Sequence, residues 1–273
     1  MTERILLAGV DLDGTLLRED KSLSKKTFEA IKSAKKRGIE IVPITGRPLS
    51  GVPDFIRESR YINYIITSNG AKITDLKSGK AVYRSTIPFE KSLELTRYLS
   101  TMPAQFEFFA DDVGYITKDT LEFHRNRFKG TPLMPYIEQS RVALESLEAF
   151  VQREKKEADE FFVICENAEC RDEIRAAAEN DSELQYCEIA DVYIELSHRL
   201  TDKGKALRQL CGMLDIPQKN TAAFGDGEND VKFLKEAGLS VAMGNAVPQV
   251  KALADIITDT NENDGVAKIL NQL

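Results

Sequence analysis

The chain has 273 residues, of which 42% are hydrophobic and 30% charged, and this composition is typical of a globular protein with a sizeable core. Its formal net charge of −7 excludes the basic surface that nucleic-acid binding requires, so an anionic ligand would need a local cation from a metal ion or a few placed lysines and arginines. No apolar stretch approaches membrane-spanning length, and the first apolar strand follows residues 1–4 too closely to leave room for a secretory leader, so we expect a cytoplasmic protein with no membrane partner.

The cysteines and histidines form no pattern typical of a zinc site. The cysteines have no CxxC spacing and no histidine nearby, and we interpret them as reduced, mostly buried apolar residues. They are Cys165, Cys170, Cys187 and Cys211. The two histidines, His124 and His198, are too few for a histidine-based triad or metal cluster. The chemistry must therefore be sought among the other polar residues.

The first predicted strand ends in two carboxylates. The apolar residues 5–10 are typical of a buried strand in a parallel sheet, and the sequence DLDGT follows at residues 11–15. Residues i and i+2 of a strand point to the same side, so Asp11 and Asp13 would share a volume where like charges are costly without a cation or a proton between them. This favours a Mg²⁺ site that acts on an anion; the alternative is a strand that ends in solvated acids before a turn.

The next elements continue an α/β pattern. A helix is predicted at residues 24–38, with Ser24 as its N-cap, and a strand at 39–44 that ends in Thr45-Gly46-Arg47. A strand, a helix and a second strand form a right-handed unit with parallel strands. A short helix near residues 48–59 and a strand at 64–67, ending in Ser68-Asn69-Gly70-Ala71, follow. In such doubly wound sheets, ligands bind outside the carboxyl ends of the strands.

From about residue 80 the pattern changes to that of an α+β segment with an antiparallel sheet. Helices are predicted at residues 89–100, 141–155 and 169–180. Short strands, several of them alternating apolar with polar residues, are predicted at 105–110, 114–117, 160–165, 185–189 and 192–196. Residues 131–135 are interpreted as an internal loop. His124, Arg125 and Arg127 could either bind an anionic group of a substrate or lie on a solvated helix face.

From Thr201 the α/β pattern returns. A helix is predicted at residues 203–214, and a strand at 221–224 ends in the sequence GDGEND. A further helix, two short strands and a terminal helix are predicted at 231–237, 240–243, 255–258 and 265–273. The α/β domain is therefore expected to be discontinuous, with the middle segment inserted into it.

Polar residues at four strand or helix ends are expected to meet at one edge of the sheet. Each has an ordinary structural explanation by itself: Asp226 and Glu228 could be acids at a helix start, Lys203 a solvated lysine, and Thr45 part of a turn. For the site to be absent, all of these structural explanations would have to hold at once. Because the polar residues occur together and in this order along the chain, we favour a shared site.

The set as a whole resembles the haloacid dehalogenase superfamily of phosphohydrolases. The motifs that carry the resemblance are DLDGT, a threonine after the second strand, the lysine of DKGKAL, and GDGEND. The insert, the turn at 68–71 and the late sequence at 263–267 are similar to the Cof-type, class IIB subgroup with a C2B cap. The resemblance covers the whole chain. It implies an α/β protein with a Rossmann-like doubly wound core at residues 1–82 and 196–273 and an inserted α+β cap at 83–195.

The resemblance also implies roles for the acidic residues. Asp11 would attack phosphorus and form an aspartyl-phosphate, and Asp13 would protonate the leaving oxygen and then deprotonate the attacking water. The protein ligands of Mg²⁺ would be Asp11, Asp226 and the backbone carbonyl of Asp13. Asp230 would orient the metal's water molecules or Lys203.

The remaining implied roles concern the phosphoryl group and the substrate. The oxygens of the phosphoryl group would be held by the Thr45 hydroxyl, the Leu12 and Gly46 N–H groups, Lys203 and Asn229. Arg47 and Asn69 are candidate substrate contacts, or they fix loops.

The sequence thus predicts a Mg²⁺-dependent phosphatase for small phosphorylated metabolites, such as sugar phosphates or phosphorylated cofactors, that acts as a monomer or small homo-oligomer without nucleic acid. Two alternatives stay open. A phosphomutase would return the phosphoryl group from the same aspartyl-phosphate to a sugar, and a non-catalytic sensor of phosphate or metal would use the same pocket.

Overall fold

A computed structural model describes residues 4–131 and 133–273, in which the chain forms two units. One unit contains the residues up to Gly46, Pro53–Arg84 and Asp202–Leu273; the other contains Arg47–Val52 and Ser85–Thr201. The first three residues, which entered the expectation about a leader, and Pro132 of the predicted loop lie outside the described residues. No helix of the described residues is long and apolar enough to cross a bilayer.

Strands are numbered in chain order. They are β1 Leu7–Asp11, β2 Glu40–Ile44, β3 Tyr64–Thr67, β4 Lys72–Asp75, β5 Lys80–Arg84, β6 Ala104–Ala110, β7 Val113–Thr117, β8 Arg141–Leu144, β9 Glu160–Cys165, β10 Leu184–Ala190, β11 Tyr193–His198, β12 Thr221–Gly225, β13 Leu239–Ala242 and β14 Ile256–Ile257.

The α-helices are numbered in the same way. They are α1 Lys25–Lys36, α2 Asp54–Arg57, α3 Phe89–Thr101, α4 Lys118–Arg127, α5 Leu133–Ser140, α6 Leu147–Glu154, α7 Ala168–Glu179, α8 Lys203–Met213, α9 Val231–Glu236, α10 Pro248–Leu253 and α11 Gly265–Leu270. Short 3-10 turns occur at Leu49–Gly51, Ser68–Gly70, Gln218–Asn220 and Glu228–Asp230.

The first unit is built on a sheet with the strand order β14-β13-β12-β1-β2-β3-β4-β5. The strands from β14 to β3 are parallel, so their carboxyl ends share one edge. β1 lies between β12 and β2, with Gly9 opposite both Ala223 and Val42. Small residues are needed here, because a Cβ at Gly9 would lie 2.8 Å from the Phe233 ring. The predicted parallel α/β core is confirmed.

The antiparallel hairpin of β4 and β5 was not predicted from the sequence. It pairs with β3 at one end of the sheet. β5 alternates between exposed and half-buried residues, and the short β4 carries polar residues that are buried in the fold. The apolar pattern was therefore too weak to indicate strands.

The second unit is built on a sheet with the strand order β10-β11-β9-β6-β7-β8. Its pairs are antiparallel, as predicted, except for the parallel pair of β7 and β8. The core packs apolar residues of the sheet, such as Phe108 and Phe161, against helices α3, α6 and α7. The Phe108 and Phe161 rings meet edge to face, with centroids 5.2 Å apart.

The single helix predicted at residues 141–155 is wrong. The first part forms strand β8 beside β7, and helix α6 starts only after Ser146, whose side chain accepts a hydrogen bond from the Ala149 N–H. The expected loop at 131–135 is also corrected, because α5 begins at Leu133. Pro135 fits this helix since the first turn of a helix does not use its N–H groups.

His124 does not lie on a solvated face. It is 1% exposed, and its Nε2 lies 2.9 Å from Glu107 Oε1. Arg141 Nε donates to the other oxygen of Glu107 at 2.6 Å. Burial opposes ionisation of Glu107, but Arg141 and His124 outweigh it and lower the pKa of that carboxyl. His124 therefore belongs to a buried ionic cluster, whereas Arg125 is exposed.

The cysteines are free, and all except Cys187, which is partly exposed, are buried. Burial raises the pKa of Cys165 to about 12 and that of Cys211 to about 11. Both observations agree with their interpretation as inert apolar residues.

Candidate active site

The candidate site lies in the first unit, at the edge where the parallel strands β1, β2 and β12 end. β1 ends at Asp11, β2 is followed by Thr45, and β12 is followed by Asp226. Each strand is buried, so its backbone is fixed and only the polar residues beyond it change the chemistry.

A buried lysine joins two of the carboxylates. Lys203 Nζ donates to Asp11 Oδ1 and to Asp230 Oδ1, each at 2.7 Å. The exposed fractions are 2% for Lys203, 6% for Asp11 and 1% for Asp230. Burial alone would lower the pKa of Lys203, but the two carboxylates outweigh it and raise that pKa. Lys203 is therefore a charged residue of the site and not a solvated helix lysine.

The start of helix α8 holds Lys203 in place. Asp202 is the N-cap, and its Oδ1 accepts hydrogen bonds from the N–H groups of Gly204 at 2.7 Å and Lys205 at 3.0 Å. An aspartate before a helix is a standard capping signal, so the sequence could have revealed this residue, although our prediction did not include it.

Asp226 faces the turn after β1. Thr15 Oγ1 donates to Asp226 Oδ1 at 2.8 Å. Gly14, at φ +79°, is required between them, because a Cβ there would collide with Asp226 Oδ2. Asp230 Oδ2 accepts from the Asp226 and Gly227 N–H groups at 2.9 and 3.1 Å. The carboxylate of Asp230 thus orders the loop with one oxygen and binds Lys203 with the other.

The electrostatics of the cluster favour a cation. Carboxylate oxygens of Asp11, Asp226 and Asp230 lie within 4.8 Å of one another. Burial, and then the charge of Asp230, raise the pKa of Asp11 well above its usual value, and burial raises the pKa of Asp226 to about 6. One ammonium cannot neutralise three carboxylates, so the surplus charge must be balanced by a proton or a cation. Donors that are all oxygen fit Mg²⁺.

The acidic cluster contains the carboxylate of Asp230, to which the sequence assigns an orienting role. Its contact of 2.7 Å with Lys203 Nζ is the one that such a role would use, and the role stays a prediction. The Asp13 side chain is 39% exposed and accepts a hydrogen bond from Lys21 Nζ at 2.7 Å. An exposed lysine in a polar turn carries no signal in the sequence, so only the structure identifies Lys21 as a partner of Asp13.

Thr45 and Asn69 are joined through their backbones. Thr45 is 2% exposed, and its carbonyl accepts from the Asn69 N–H at 3.0 Å. Asn69, at φ +52°, accepts a long hydrogen bond of 3.4 Å from Asn229 Nδ2. A Cβ at Gly46 would lie 3.1 Å from Asn69 Oδ1. The hydrogen bonds of Asn69 thus join the loops that carry Thr45 and Asn229.

Two further predicted residues have contacts of their own within their units. Arg47 lies in the second unit, where it donates to the Gly51 carbonyl at 2.8 Å and stacks 5.2 Å from the centre of the Tyr136 ring. Leu12 is buried, and its carbonyl accepts from the Leu17 N–H at 2.8 Å, which folds the turn after β1 back on itself.

The crowding of the carboxylates predicts that Asp226→Asn stabilises the metal-free protein. The pKa of Asp226 in the folded state, about 6, lies above its ordinary value of about 3.9, so its ionised form costs stability. The contribution of the protonated form is complete below about pH 4 and is lost as the pH rises through about 6. We expect a gain of about 1–2 kcal/mol near neutral pH, after allowance for screening by solvent, and almost none near pH 4.

Urea denaturation in the presence of a chelator, at both pH values, measures this gain. The Thr15 hydroxyl can still donate to the amide oxygen that Asp226→Asn introduces, so that hydrogen bond is retained as an internal control. A variant that is less stable than the wild type near neutral pH, or a difference that does not change with pH, would contradict the expected crowding.

Known proteins match this chain over nearly its full length. A family model described as a haloacid dehalogenase-like hydrolase matches residues 9–270. Phosphatase YwpJ of Bacillus subtilis is 31% identical, over 98% of this chain and 99% of its own length. The 5-amino-6-(5-phospho-D-ribitylamino)uracil phosphatase YcsE of the same organism is 29% identical, over 97% and 94%. The solved structure of a haloacid dehalogenase-like hydrolase from B. subtilis superposes with a TM-score of 0.85 at 29% identity, covering 98% of this chain and 100% of that one.

Proposed function

Because the chain belongs to the haloacid dehalogenase-like hydrolase family, we propose that it hydrolyses monoesters of small phosphorylated metabolites through an aspartyl-phosphate on Asp11, with Mg²⁺ as cofactor. It is a phosphoric monoester hydrolase by its kinship. The observation that carries the mechanism is the buried contact of 2.7 Å between Lys203 Nζ and Asp11 Oδ1. A cation at this place neutralises charge both on the attacking carboxylate and on the phosphoryl group that approaches it.

The first half-reaction transfers the phosphoryl group to the protein. An oxygen of Asp11 forms a bond to phosphorus while the bond between phosphorus and the ester oxygen breaks. The leaving oxygen takes a proton from the Asp13 carboxyl, which enters this step protonated and not as the ionised partner of Lys21. Its side chain is partly exposed and takes up that proton from solvent beforehand. The products are an alcohol and an acyl phosphate on Asp11, with Asp13 ionised.

The second half-reaction restores the protein. Asp13 removes a proton from a water molecule, whose oxygen attacks phosphorus and breaks the acyl phosphate. Inorganic phosphate leaves, and Asp11 is again a carboxylate while Asp13 is again protonated. The phosphoryl oxygens are held by the Thr45 hydroxyl, the N–H groups of Leu12 and Gly46, Lys203 and Asn229.

The residues that would hold Mg²⁺ in this proposal are Asp11, Asp226 and, through its carbonyl, Asp13. Asp230, whose carboxylate lies within 4.8 Å of those of Asp11 and Asp226, would orient the metal's water molecules or Lys203. When bound, Mg²⁺ supplies the positive charge that the surplus of carboxylates requires and that a dianionic monoester needs. We propose Arg47 and Asn69 as contacts to the rest of the substrate. We also propose that the core domain comprises residues 1–82 and 196–273 and that the cap comprises residues 83–195.

A screen of phosphorylated metabolites with and without Mg²⁺ tests the function. The panel should include sugar phosphates and phosphorylated cofactors, because the relative YcsE is a phosphatase for a phosphorylated ribityl compound. Release of inorganic phosphate that depends on Mg²⁺ would support the proposal. An isomeric sugar phosphate as the product would identify a phosphomutase. Binding of phosphate and Mg²⁺ without any turnover would identify a sensor.

Asp13→Asn is expected to lower kcat by about 10²–10⁴-fold, the usual contribution of general acid–base catalysis. Its affinity for Mg²⁺ should stay largely unchanged, because the backbone carbonyl of residue 13 remains. Turnover and a calorimetric Mg²⁺ titration measure the two effects. The matched control is Asp20→Asn, at the exposed end of the same loop. Unchanged turnover in Asp13→Asn, or a parallel loss in the control, would remove Asp13 from its proposed role.

A further inference from the structure

Two asparagines outside the proposed catalytic set hold the turn that carries Asp13. Asn245 follows strand β13, and its Nδ2 donates to the Gly14 carbonyl at 2.7 Å. Asn261 follows strand β14, and its Nδ2 donates to the Leu17 carbonyl at 2.9 Å. The first bond holds the Gly14–Thr15 peptide, which is the second peptide after the proposed acid.

The two asparagines are also bonded to each other. Asn245 Oδ1 accepts from the Asn261 N–H at 3.1 Å. The Asn245 side chain is thereby oriented, with its Nδ2 group directed at the turn. An asparagine suits this position because its side chain donates and accepts at the same time. We call the pair Asn245 and Asn261, with their three hydrogen bonds, the asparagine clamp.

The loops behind the clamp are fixed to the site as well. The Gly244 N–H donates to the Asp259 carbonyl at 3.1 Å, which joins the two loops. The Val247 N–H donates to the Asp226 carbonyl at 3.0 Å. Residues 244–247 therefore contact both the turn after β1 and the segment that carries Asp226. Glu262 Oε1 adds a bond of 2.8 Å from the Glu19 N–H at the far end of the turn.

The turn needs such support because of Gly14. Inside the turn, the Leu16 and Leu17 N–H groups donate to the Asp11 and Leu12 carbonyls at 3.0 and 2.8 Å. These bonds fix the N–H groups but do not hold the Gly14 and Leu17 carbonyls. Gly14, at φ +79°, has no side chain to limit the rotation of its peptide planes. The clamp bonds both carbonyls and so limits the rotation that would redirect Asp13.

We propose that Asn245 and Asn261 are positioning residues for the Asp13 carboxyl, and this inference rests on the proposed function. The hydrogen bonds of both asparagines end on the turn and on each other, so they act through the backbone of the turn. Loss of the clamp should therefore impair proton donation to the leaving oxygen more than phosphate binding. A displacement of about 1 Å far from the reacting atoms can cost about 10²-fold in rate.

The test compares two leaving groups in Asn245→Ala and Asn261→Ala. An alkyl phosphate needs a proton on its leaving oxygen, whereas the p-nitrophenolate of p-nitrophenyl phosphate leaves with little help. We expect kcat to fall by about 10- to 100-fold on the alkyl phosphate and by less than about threefold on p-nitrophenyl phosphate, with KM nearly unchanged on both. A loss of overall stability would lower both rates equally, so the difference between the substrates isolates positioning.

The matched control is Asn220→Ala. Asn220 Nδ2 also donates to a backbone carbonyl, that of Arg4, at 2.7 Å, but it precedes β12 at the opposite end of the strands. Asn245→Asp provides a second variant if alanine prevents folding, because it keeps the acceptor for Asn261 and removes the donor to Gly14. The control should match the wild type on both substrates. Equal losses on the two substrates, or none, would overturn the proposal.

Hydrogen exchange separates this inference from the proposed function. In the metal-free protein, the amides of Leu16 and Leu17 should exchange faster in Asn245→Ala and Asn261→Ala than in the wild type and in Asn220→Ala. A wild type without phosphatase activity would defeat the proposed function, and the exchange rates would still report on the clamp. Unchanged exchange in both clamp variants would overturn the clamp even in an active enzyme.

Discussion

Replacing Asp11 by asparagine is expected to reduce kcat/KM by at least about 10⁴-fold, because an amide oxygen cannot act as the nucleophile that forms the acyl phosphate. The change is nearly isosteric. The side chain introduced by Asp11→Asn would still present an oxygen to Lys203, so the hydrogen bond of 2.7 Å can persist and the loss would not come from misfolding. Turnover on the best substrate of the screen, together with the midpoint of urea denaturation, measures both points.

The control for this variant is Asp54→Asn, a change at an exposed aspartate whose side chain is 71% accessible and pairs with Arg57. It should keep wild-type turnover, since an exposed ion pair contributes little. Asp11→Glu provides a second comparison, because it keeps the carboxylate but moves its oxygens by one methylene. More than about one per cent of wild-type activity in Asp11→Asn would mean that another group attacks phosphorus.

Replacing Lys203 by methionine is expected to lower both activity and stability. The change leaves the buried carboxylates of Asp11 and Asp230 without the ammonium that they share at 2.7 Å. Removing one partner from a buried ionic contact costs about 3–5 kcal/mol, and part of this cost is avoided here because Asp11 can take up a proton. We therefore expect a loss of about 3 kcal/mol in the free energy of unfolding near neutral pH and a loss of at least about 10³-fold in kcat.

The pH dependence gives this prediction a definite sign. The folded-state pKa of Asp11 lies well above its ordinary value of about 3.9, so the surplus charge disappears, and the destabilisation of Lys203→Met should shrink, as the pH falls through that raised pKa towards about 4. Adding Asp230→Asn should restore part of the stability but none of the activity. Lys235→Met, on the exposed end of α9, is the control and should change neither. An active or fully stable Lys203→Met variant would contradict the role of Lys203.

The sequence predicted the family and the α/β core because both depend on features that are local in the chain. The apolar strands, the carboxylates at their ends and the capping residues are visible in short windows, and the rule for parallel sheets brings their ends together. The contact between Lys203 and Asp11 joins residues 192 positions apart, and no pattern of periodicity indicates it. The expectation that these two residues meet came from the parallel-sheet topology and from the order of the motifs DLDGT, DKGKAL and GDGEND along the chain.

The errors arose where tertiary packing decides the environment of a side chain. His124 looked like part of a polar helix face, but the fold buries it against Glu107. Residues 141–144 have a helical pattern by themselves, yet pairing with β7 makes them a strand. The catalytic and binding roles of the individual residues, and the limits of the two domains, remain predictions.

The most direct measurement of the central claim is a mass spectrum of the protein quenched in acid during turnover, followed by peptide mapping. Acyl phosphates survive in acid long enough to be identified. The proposed mechanism predicts a phosphoryl group on the peptide that contains Asp11, present only with substrate and Mg²⁺ and absent from Asp11→Asn. Turnover with an unmodified Asp11, or with the phosphoryl group on another residue, would contradict the mechanism.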